Sequence, residues 1–305
     1  MYRITLVIPT YNRAASLMRA LESVARQTLD PALWECLIID NASTDHTAEA
    51  VTLFAAEHPT LHIRLVREEQ QGVAHARNRA LQEATTELIC SIDDDERINE
   101  GFIEAYLRFF DEHPDAVVAG GRIIAEYEQE RPHWMSRWTE RPIANPMDYG
   151  EQIRPFPKGA LPGGGNMGFR RSIALQVGFA TQLGRTGGRL LGGEENDFLQ
   201  RMREAGHTLW YLPDAVMWHI IPPEKCTDEY LCRLAFNIGI SQRRRAELRG
   251  GVGRALLSEI GKWGATLLLL FTMPPAKGLR LLRMRHHIAR GLFTKTAQRP
   301  PATTK

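Results

Sequence analysis

An acidic cluster is the clearest candidate for chemistry in this chain of 305 residues. Asp93, Asp94 and Asp95 follow the apolar run 88–92, and Glu96 comes next. Adjacent carboxylates repel one another, so the cluster predicts a bound cation. In an extended chain Asp93 and Asp95 project to the same side, and two carboxylates with a bound diphosphate ordinarily hold Mg²⁺ or Mn²⁺. The alternative interpretation is a solvated acidic turn.

A second acidic group opens a predicted helix at 194–205. Glu194, Glu195 and Asp197 follow two glycines. Acidic residues are common in a first helical turn because they complement the helix dipole. A glycine-rich loop that leads into a helix is also a good place for a carboxylate base to face a cleft, so both interpretations stay open.

Asp40 and His219 are two further candidates. Asp40 ends a predicted strand, and Ser43 or Asp45 would suit the N-cap of the next helix. His219 lies beside apolar residues, so it is either a metal ligand or a buried core histidine.

Elements that alternate between strand and helix position these residues. Predicted strands lie at 3–8, 34–40, 61–66 and 88–93, and helical periodicity follows each of them. Such alternation predicts an α/β fold with a doubly wound, mostly parallel sheet. Ligands bind such sheets at the carboxyl ends of their strands.

The second half of the chain is less regular. The range 127–158 has no sustained period; a short helix from about 172, a strand at 208–212 and helices from 227 follow. The glycines of 163–168 match the letters of a dinucleotide-binding motif, but no clear strand precedes them, so we reject a Rossmann site. P-loop, HExxH and GxSxG motifs do not occur, which excludes P-loop NTPases, zincins and nucleophile-elbow hydrolases.

Charge is unevenly distributed. Residues 226–305 hold 15 Lys and Arg against 4 Asp and Glu, although the whole chain carries only +2. This basic tail suggests an anionic partner surface, and it lacks the aromatic interleaving that would favour nucleic acid. The sparse cysteines, the absence of a signal-peptide pattern and the short apolar runs predict a cytoplasmic protein without a spanning helix.

Seven motifs in this order resemble glycosyltransferase family 2, inverting enzymes of the GT-A fold that use nucleotide sugars. They are 7–13 (VIPTYNR), 40–45 (DNASTD), 72–79 (GVAHARNR), 93–95 (DDD), 164–170 (GGNMGFR), 193–198 (GEENDF) and 218–219 (WH). The resemblance implies a catalytic domain at 1–225, with a nucleotide-binding half at 1–120 and an acceptor and catalytic half at 121–225. A basic amphipathic helical extension would occupy 226–305.

The resemblance also implies roles for individual residues. The metal, Mn²⁺ or Mg²⁺, would be held by Asp95 with Asp93 and His219. Glu195 stands where many members carry an aspartate base, and Glu194 and Asp197 remain possible bases. The nucleotide-sugar site would comprise Pro9, Thr10, Tyr11, Arg13, Asp40, Arg77, Asp93, Asp94 and Asn166.

The implied reaction is one in-line displacement, in which the base deprotonates the acceptor and the metal stabilises the leaving diphosphate. The family implies a UDP-sugar donor and a glycan or lipid-linked acceptor of cell-surface polysaccharide or lipopolysaccharide synthesis. The alternative is a sugar-binding or scaffolding protein with a decayed GT-A fold.

The tail at 264–305 is predicted to bind an anionic membrane at the cytosolic face. Leu281, Met284 and Ile288 follow helical spacing and basic residues flank them, so one face could lie among lipid headgroups. The alternative is that these helices pack on the catalytic domain.

Overall fold

A nine-stranded sheet lies at the centre of the part of the chain that the computed structural model describes, residues 1–186 and 190–294. Its strand order is β3-β2-β1-β4-β8-β6-β9-β5, and β7 also pairs with β9. The strands are β1 (Ile4–Thr10), β2 (Trp34–Asp40), β3 (Ile63–Arg67), β4 (Leu88–Ser91), β5 (Glu96–Ile98), β6 (Val118–Tyr127), β7 (Arg154–Pro155), β8 (Met167–Arg170) and β9 (Leu209–Ile221).

The longest ladders of the sheet are parallel. β1 pairs in parallel with β2 and β4, β2 with β3, and β6 with β9, whereas β8, β5 and β7 contribute antiparallel pairs. Every residue of β1, β2 and β4 is buried, as expected of parallel strands covered on both faces. The mostly parallel α/β fold is therefore confirmed.

One strand is much longer than its sequence pattern indicates. β9 continues to Ile221, whereas the prediction ended at 212. The register against β6 shifts at one point. Gly121 of β6 pairs with Leu212, but the next residue, Arg122, pairs with Val216, so the ladder skips residues 213–215 of β9. Pro213, which lacks a backbone donor, lies in that shift and masks the continuity of the strand.

Helices flank the sheet and form the C-terminal part of the chain. They are α1 (Ala14–Val24), α2 (Thr47–Glu57), α3 (Val73–Glu83), α4 (Phe102–Glu112), α5 (Arg137–Ala144), α6 (Arg171–Val177), α7 (Glu194–Glu204), α8 (Asp228–Leu248), α9 (Val252–Leu270) and α10 (Pro275–Phe293). The helix α5 falls inside the stretch 127–158 that has no sequence period. A capping box between Ser136 and Thr139 starts it, and it contains Pro142.

The face of α10 predicted to contact lipid is packed inside the protein. Leu281, Met284 and Ile288 are buried in a second core cluster that includes residues of α5 and α8. Gly239 and Gly291 let α8 and α10 approach closely, because a Cβ at Gly291 would lie 2.0 Å from the carbonyl oxygen of Phe236. The lipid-facing prediction for these apolar residues is wrong, since the same periodicity serves a helix–helix interface.

Three basic residues of α10 form ion pairs with acidic residues of α8 and α9. Arg280 and Arg283 contact Asp228 at 3.1 and 3.2 Å, and Arg285 contacts Glu259 at 3.2 Å. Within the described residues, no helix has the length and apolar character needed to cross a bilayer. Residues 295–305 of the tail lie outside the described residues, as do residues 187–189.

Candidate active site

The carboxyl ends of β1, β2 and β4 meet at one edge of the sheet, where a cleft of about 280 Å³ opens. It brings together ten residues singled out from the sequence: Pro9, Thr10, Tyr11, Arg13, Arg77, Asp93, Asp94, Asp95, Glu194 and Glu195. Asn41 and Gly72, which belong to the motifs 40–45 and 72–79 but were assigned no role, line the same cleft, as does Arg185, which the sequence did not single out.

Asp94 is held from two sides. Thr10 Oγ1 donates to its Oδ2 at 2.9 Å and Arg13 Nη1 donates to its Oδ1 at 3.0 Å. Burial raises the pKa of Asp94 to about 6, against the opposing effect of Arg13. Asp94 and Asp95 lie in a turn, so the extended geometry expected for the cluster is wrong.

Arg77, Asp93 and Glu194 form a first ionic group, here the Arg77 cluster. The Arg77 guanidinium, on α3, is only 5% exposed; its Nη1 donates to Glu194 Oε1 at 2.7 Å and its Nη2 to Asp93 Oδ1 at 3.0 Å. Burial and the nearby Glu195 raise the pKa of Glu194 to about 8, although Arg77 opposes the shift. Arg77 thus joins the acidic turn to the start of α7.

Asp95, His219 and Lys225 form a second ionic group, here the Lys225 cluster. Lys225 Nζ donates to Asp95 Oδ2 at 2.7 Å and lies 3.5 Å from His219 Nε2. Burial alone would raise the pKa of Asp95, but Lys225, His219 and Arg13 outweigh it and hold that pKa well below its usual range. Burial lowers the pKa of His219, so the imidazole favours its neutral form.

The Lys225 cluster fits a divalent cation. His219 Nδ1 lies 3.1 Å from the Ala144 carbonyl oxygen, which can accept its proton and leave Nε2 as a lone-pair donor 3.9 Å from Asp95 Oδ2. The carboxylate suits Mn²⁺ or Mg²⁺, and the imidazole favours Mn²⁺ over Mg²⁺. The ammonium of Lys225 already places positive charge beside both groups. No group of three or more His, Cys, Asp or Glu in the described ranges could hold a metal, so other ligands would have to come from a bound diphosphate or water.

Of the three candidate bases, Glu195 is the one that is part-exposed in the cleft. Its Oε1 accepts from Asn196 Nδ2 at 2.7 Å and its Oε2 from the backbone N–H of Gly193 at 3.2 Å. Glu194 is buried and accepts a hydrogen bond from Arg77. Asp197 is also buried and accepts from Arg201 Nε at 2.7 Å. Asp197 does not line the cleft.

Two predicted donor-site residues do not line the cleft. Asp40 Oδ2 accepts from Arg67 Nη1 and its Oδ1 from the backbone N–H of Ser43, both at 2.9 Å. Asn166 is fully buried; it accepts from the Tyr106 hydroxyl at 2.7 Å and donates to the carbonyl oxygens of Arg122 and Ala215. Through these hydrogen bonds both side chains stabilise segments next to the cleft.

A second groove, of about 610 Å³, continues from the cleft toward the C-terminal helices. Arg185, Gly192 and Glu195 line both spaces. The groove has an apolar lining that includes Trp138, Leu190, Leu234, Ile238, Met284 and Ile288. Its basic side chains are Arg141, Arg185, Arg245, Lys262 and Arg285, and Glu195 is the acidic residue that lines it within the described chain.

Sequence reasoning missed Lys225. The residue lies in a 3₁₀ turn (Pro223–Cys226) directly after β9, six positions beyond His219. Two prolines before it were the available signal, because they end the strand and start a turn close to the predicted metal ligand. Its partner Asp95 is 130 residues away, so no local pattern indicates the pair.

A parallel-dominated α/β sheet with an acidic turn and a carboxylate-bearing helix start at its strand ends defines a GT-A glycosyltransferase fold. The chain belongs to glycosyl transferase family 2: the family model, described as Glycosyl transferase family 2, matches residues 5–178.

Curated relatives cover much of the chain. It is 24% identical over 252 residues to the glucosyl-dolichyl phosphate glucuronosyltransferase of Haloferax volcanii, covering 79% of this chain and 76% of the relative. It is 32% identical over 182 residues to the uncharacterized glycosyltransferase YwdF of Bacillus subtilis, covering 58% of this chain and 61% of that protein.

Solved structures share the fold. The mannosyltransferase PcManGT from Pyrobaculum calidifontis, in complex with GDP-Man and Mn²⁺, aligns with a TM-score of 0.61 at 19% identity, over 96% of this chain and 88% of that chain. Staphylococcus aureus TarS 1–349, in complex with UDP, aligns with a TM-score of 0.56 at 20% identity, over 77% of this chain and 65% of that chain.

Proposed function

We propose that this protein is a metal-dependent, inverting hexosyltransferase that transfers a sugar from a nucleotide sugar, with UDP as the expected nucleotide. One observation carries the proposal: Glu195 lines both the acidic cleft and the adjoining groove, where a donor and an acceptor would meet. The nucleotide sugars bound by the TarS and PcManGT structures support this class of donor.

In this proposal the cleft residues and His219, which lies beside Asp95 without lining the cleft, have distinct tasks. Glu195 removes the proton from the acceptor hydroxyl as the bond to the sugar forms. The Arg77 cluster fixes the start of α7, and therefore Glu195, relative to the acidic turn. Asp95 and His219 hold the divalent cation, which when bound would neutralise charge on the leaving diphosphate.

The test of the base is Glu195→Gln in a transfer assay with a nucleotide sugar that the protein binds. We expect turnover to fall by about 10²-fold, typical of the loss of a general base, with donor affinity unchanged. Asp197→Asn is the matched variant on the same helix, and it should retain turnover if it still folds. Normal turnover in Glu195→Gln together with an inactive, folded Asp197→Asn would move the base to Asp197.

We propose that the acceptor is an amphiphile with an anionic group, such as a lipid-linked phosphate or diphosphate. An apolar lining and five basic side chains suit a lipid chain and a phosphate, and Glu195 lies at the end of the groove that joins the cleft. The glucosyl-dolichyl phosphate in the name of the Haloferax volcanii relative supports this class. In this assignment residues 1–225 carry out catalysis, and helices within 226–294 complete the acceptor groove.

We also propose that the protein binds the cytosolic membrane surface through α9 rather than α10. The helix exposes one apolar face formed by Leu257, Ile260, Leu267, Leu268 and Phe271, which are between 50% and 89% exposed. These spacings place the side chains on one side of a helix. Arg254 is exposed on the same helix, so an anionic leaflet would add electrostatic attraction.

Co-sedimentation with anionic vesicles tests this surface. Leu268→Glu with Phe271→Glu should abolish binding, whereas Leu53→Glu, an exposed apolar residue of α2, is the matched control and should bind like the wild type. Equal sedimentation of the α9 variant and the control would show that α9 is not the membrane surface.

A further inference from the structure

The ammonium of Lys225 lies beside both protein ligands proposed for the metal. Its Nζ is 2.7 Å from Asp95 Oδ2 and 3.5 Å from His219 Nε2, and its side chain is only 9% exposed. Divalent cations bind carboxylate oxygen and imidazole nitrogen at about 2.0–2.2 Å. A metal on these two atoms and an ammonium in contact with both would therefore repel each other strongly.

We propose that Lys225 is a tethered cation that competes with the divalent metal for Asp95 and His219. Without the metal, Lys225 neutralises the buried Asp95 carboxylate and keeps it beside the imidazole. When the metal binds, the ammonium leaves this position. The inference rests on the proposed metal site, but not on the assignment of the base or the acceptor.

The chemistry of lysine suits this exchange. Its charge is compact and lies on a flexible four-carbon stem, so Nζ can move without displacing the 3₁₀ turn. Arg13 Nη1, 3.1 Å from Asp95 Oδ2, also contacts Asp94, so it binds the turn as a whole rather than one ligand. The apparent affinity for metal is then the intrinsic affinity multiplied by the fraction of time that Lys225 leaves the site free.

Binding of Mn²⁺ to the nucleotide-free protein, followed by the electron paramagnetic resonance of free Mn²⁺, tests the competition directly. If Lys225 occupies the site about 90% of the time, Lys225→Met should bind Mn²⁺ about tenfold more tightly than the wild type. Lys158→Met removes an exposed lysine and should match the wild type. Equal or weaker binding by a folded Lys225→Met would overturn the inference alone, whereas no binding by either protein, both without nucleotide and with UDP, would overturn the proposed metal site with it.

A second measurement uses the wild-type protein, so it does not depend on the folding of a variant. Lysine acylation is followed by mass spectrometry with and without saturating Mg²⁺. Displacement predicts that Mg²⁺ increases labelling of Lys225 severalfold and leaves Lys158 unchanged. Labelling of Lys225 that stays the same or falls when Mg²⁺ is saturating would contradict the competition.

Discussion

Two ionic clusters flank the same acidic turn but are built differently. In the Arg77 cluster, an almost wholly buried guanidinium from the middle of α3 bridges Asp93 and Glu194. In the Lys225 cluster, an ammonium from a short turn after β9 contacts Asp95 beside His219. Burial and Glu195 raise the pKa of Glu194, whereas Lys225, His219 and Arg13 overcome burial and lower the pKa of Asp95.

The difference indicates a division between support and chemistry. Arg77 holds two carboxylates with separate nitrogens on one rigid, planar group, which is suited to fixing the turn against α7. Lys225 offers one mobile charge next to an oxygen and a nitrogen that suit a metal. We expect substitutions in the Arg77 cluster to act mainly on stability and those in the Lys225 cluster mainly on activity.

The largest expected effect is on the stability of Arg77→Met. At about pH 9, above the pKa of about 8 of Glu194, the substitution leaves that buried carboxylate and the partly exposed Asp93 without their cation, and removing one partner of a buried ion pair costs about 3–5 kcal/mol. The free energy of unfolding in urea measures the change.

Arg79→Met on the same helix is the control. Arg79 pairs with Glu83 near the surface, where such a pair contributes about 0–1 kcal/mol. Similar losses of stability in the two variants would contradict the supporting role of the Arg77 cluster.

Asp95→Ala should chiefly abolish activity. Loss of an electrostatic contact at a developing charge typically lowers turnover by about 10²–10³-fold, or about 2.7–4 kcal/mol. Stability should fall less than in Arg77→Met because the freed Lys225 can extend toward water. Initial rates and urea unfolding, measured on the same preparations, separate the two effects.

Metal removal sharpens this prediction. Excess EDTA should reduce wild-type turnover toward that of Asp95→Ala, while Asp111→Ala, which removes a surface partner of Arg3, keeps wild-type rates. Undiminished turnover in EDTA would show that the Lys225 cluster does not use a metal in the reaction.

The third expected effect is a pH dependence that comes from Glu194. Burial and Glu195 raise its folded-state pKa to about 8, so the folded protein retains a proton that the unfolded chain releases near its ordinary pKa. Its contribution to stability is full below that ordinary pKa and is lost as pH rises toward 8.

Glu194→Gln should therefore flatten the fall in unfolding free energy between pH 5 and 8, as measured by urea unfolding across that range. An equally steep fall in both proteins would assign the pH dependence to other groups.

The sequence predicted most of the elements in residues 1–120 and fewer of those in residues 121–305. Apolar runs that end in polar residues located β1, β2 and β4, and so brought Thr10 and the acidic turn to one edge of the sheet. The helix α5 was missed because it is short and contains Pro142. The apolar stripe of α10 was located from its periodicity, but it was predicted to contact lipid and instead packs against other helices of the protein. Periodicity alone does not distinguish a protein neighbour from lipid.

Chain order and residue type by themselves determined the parallel sheet, the family motifs and the acids at the strand ends. They follow from local patterns, because burial on both faces requires continuous apolar strands and the acidic turn at 93–95 lies where such a strand stops. Only the tertiary structure decided which cation each carboxylate meets. Asp93 reaches Arg77 and Asp95 reaches Lys225, 16 and 130 residues away. The reason is that packing of distant elements, rather than spacing along the chain, sets the distances over which charges interact.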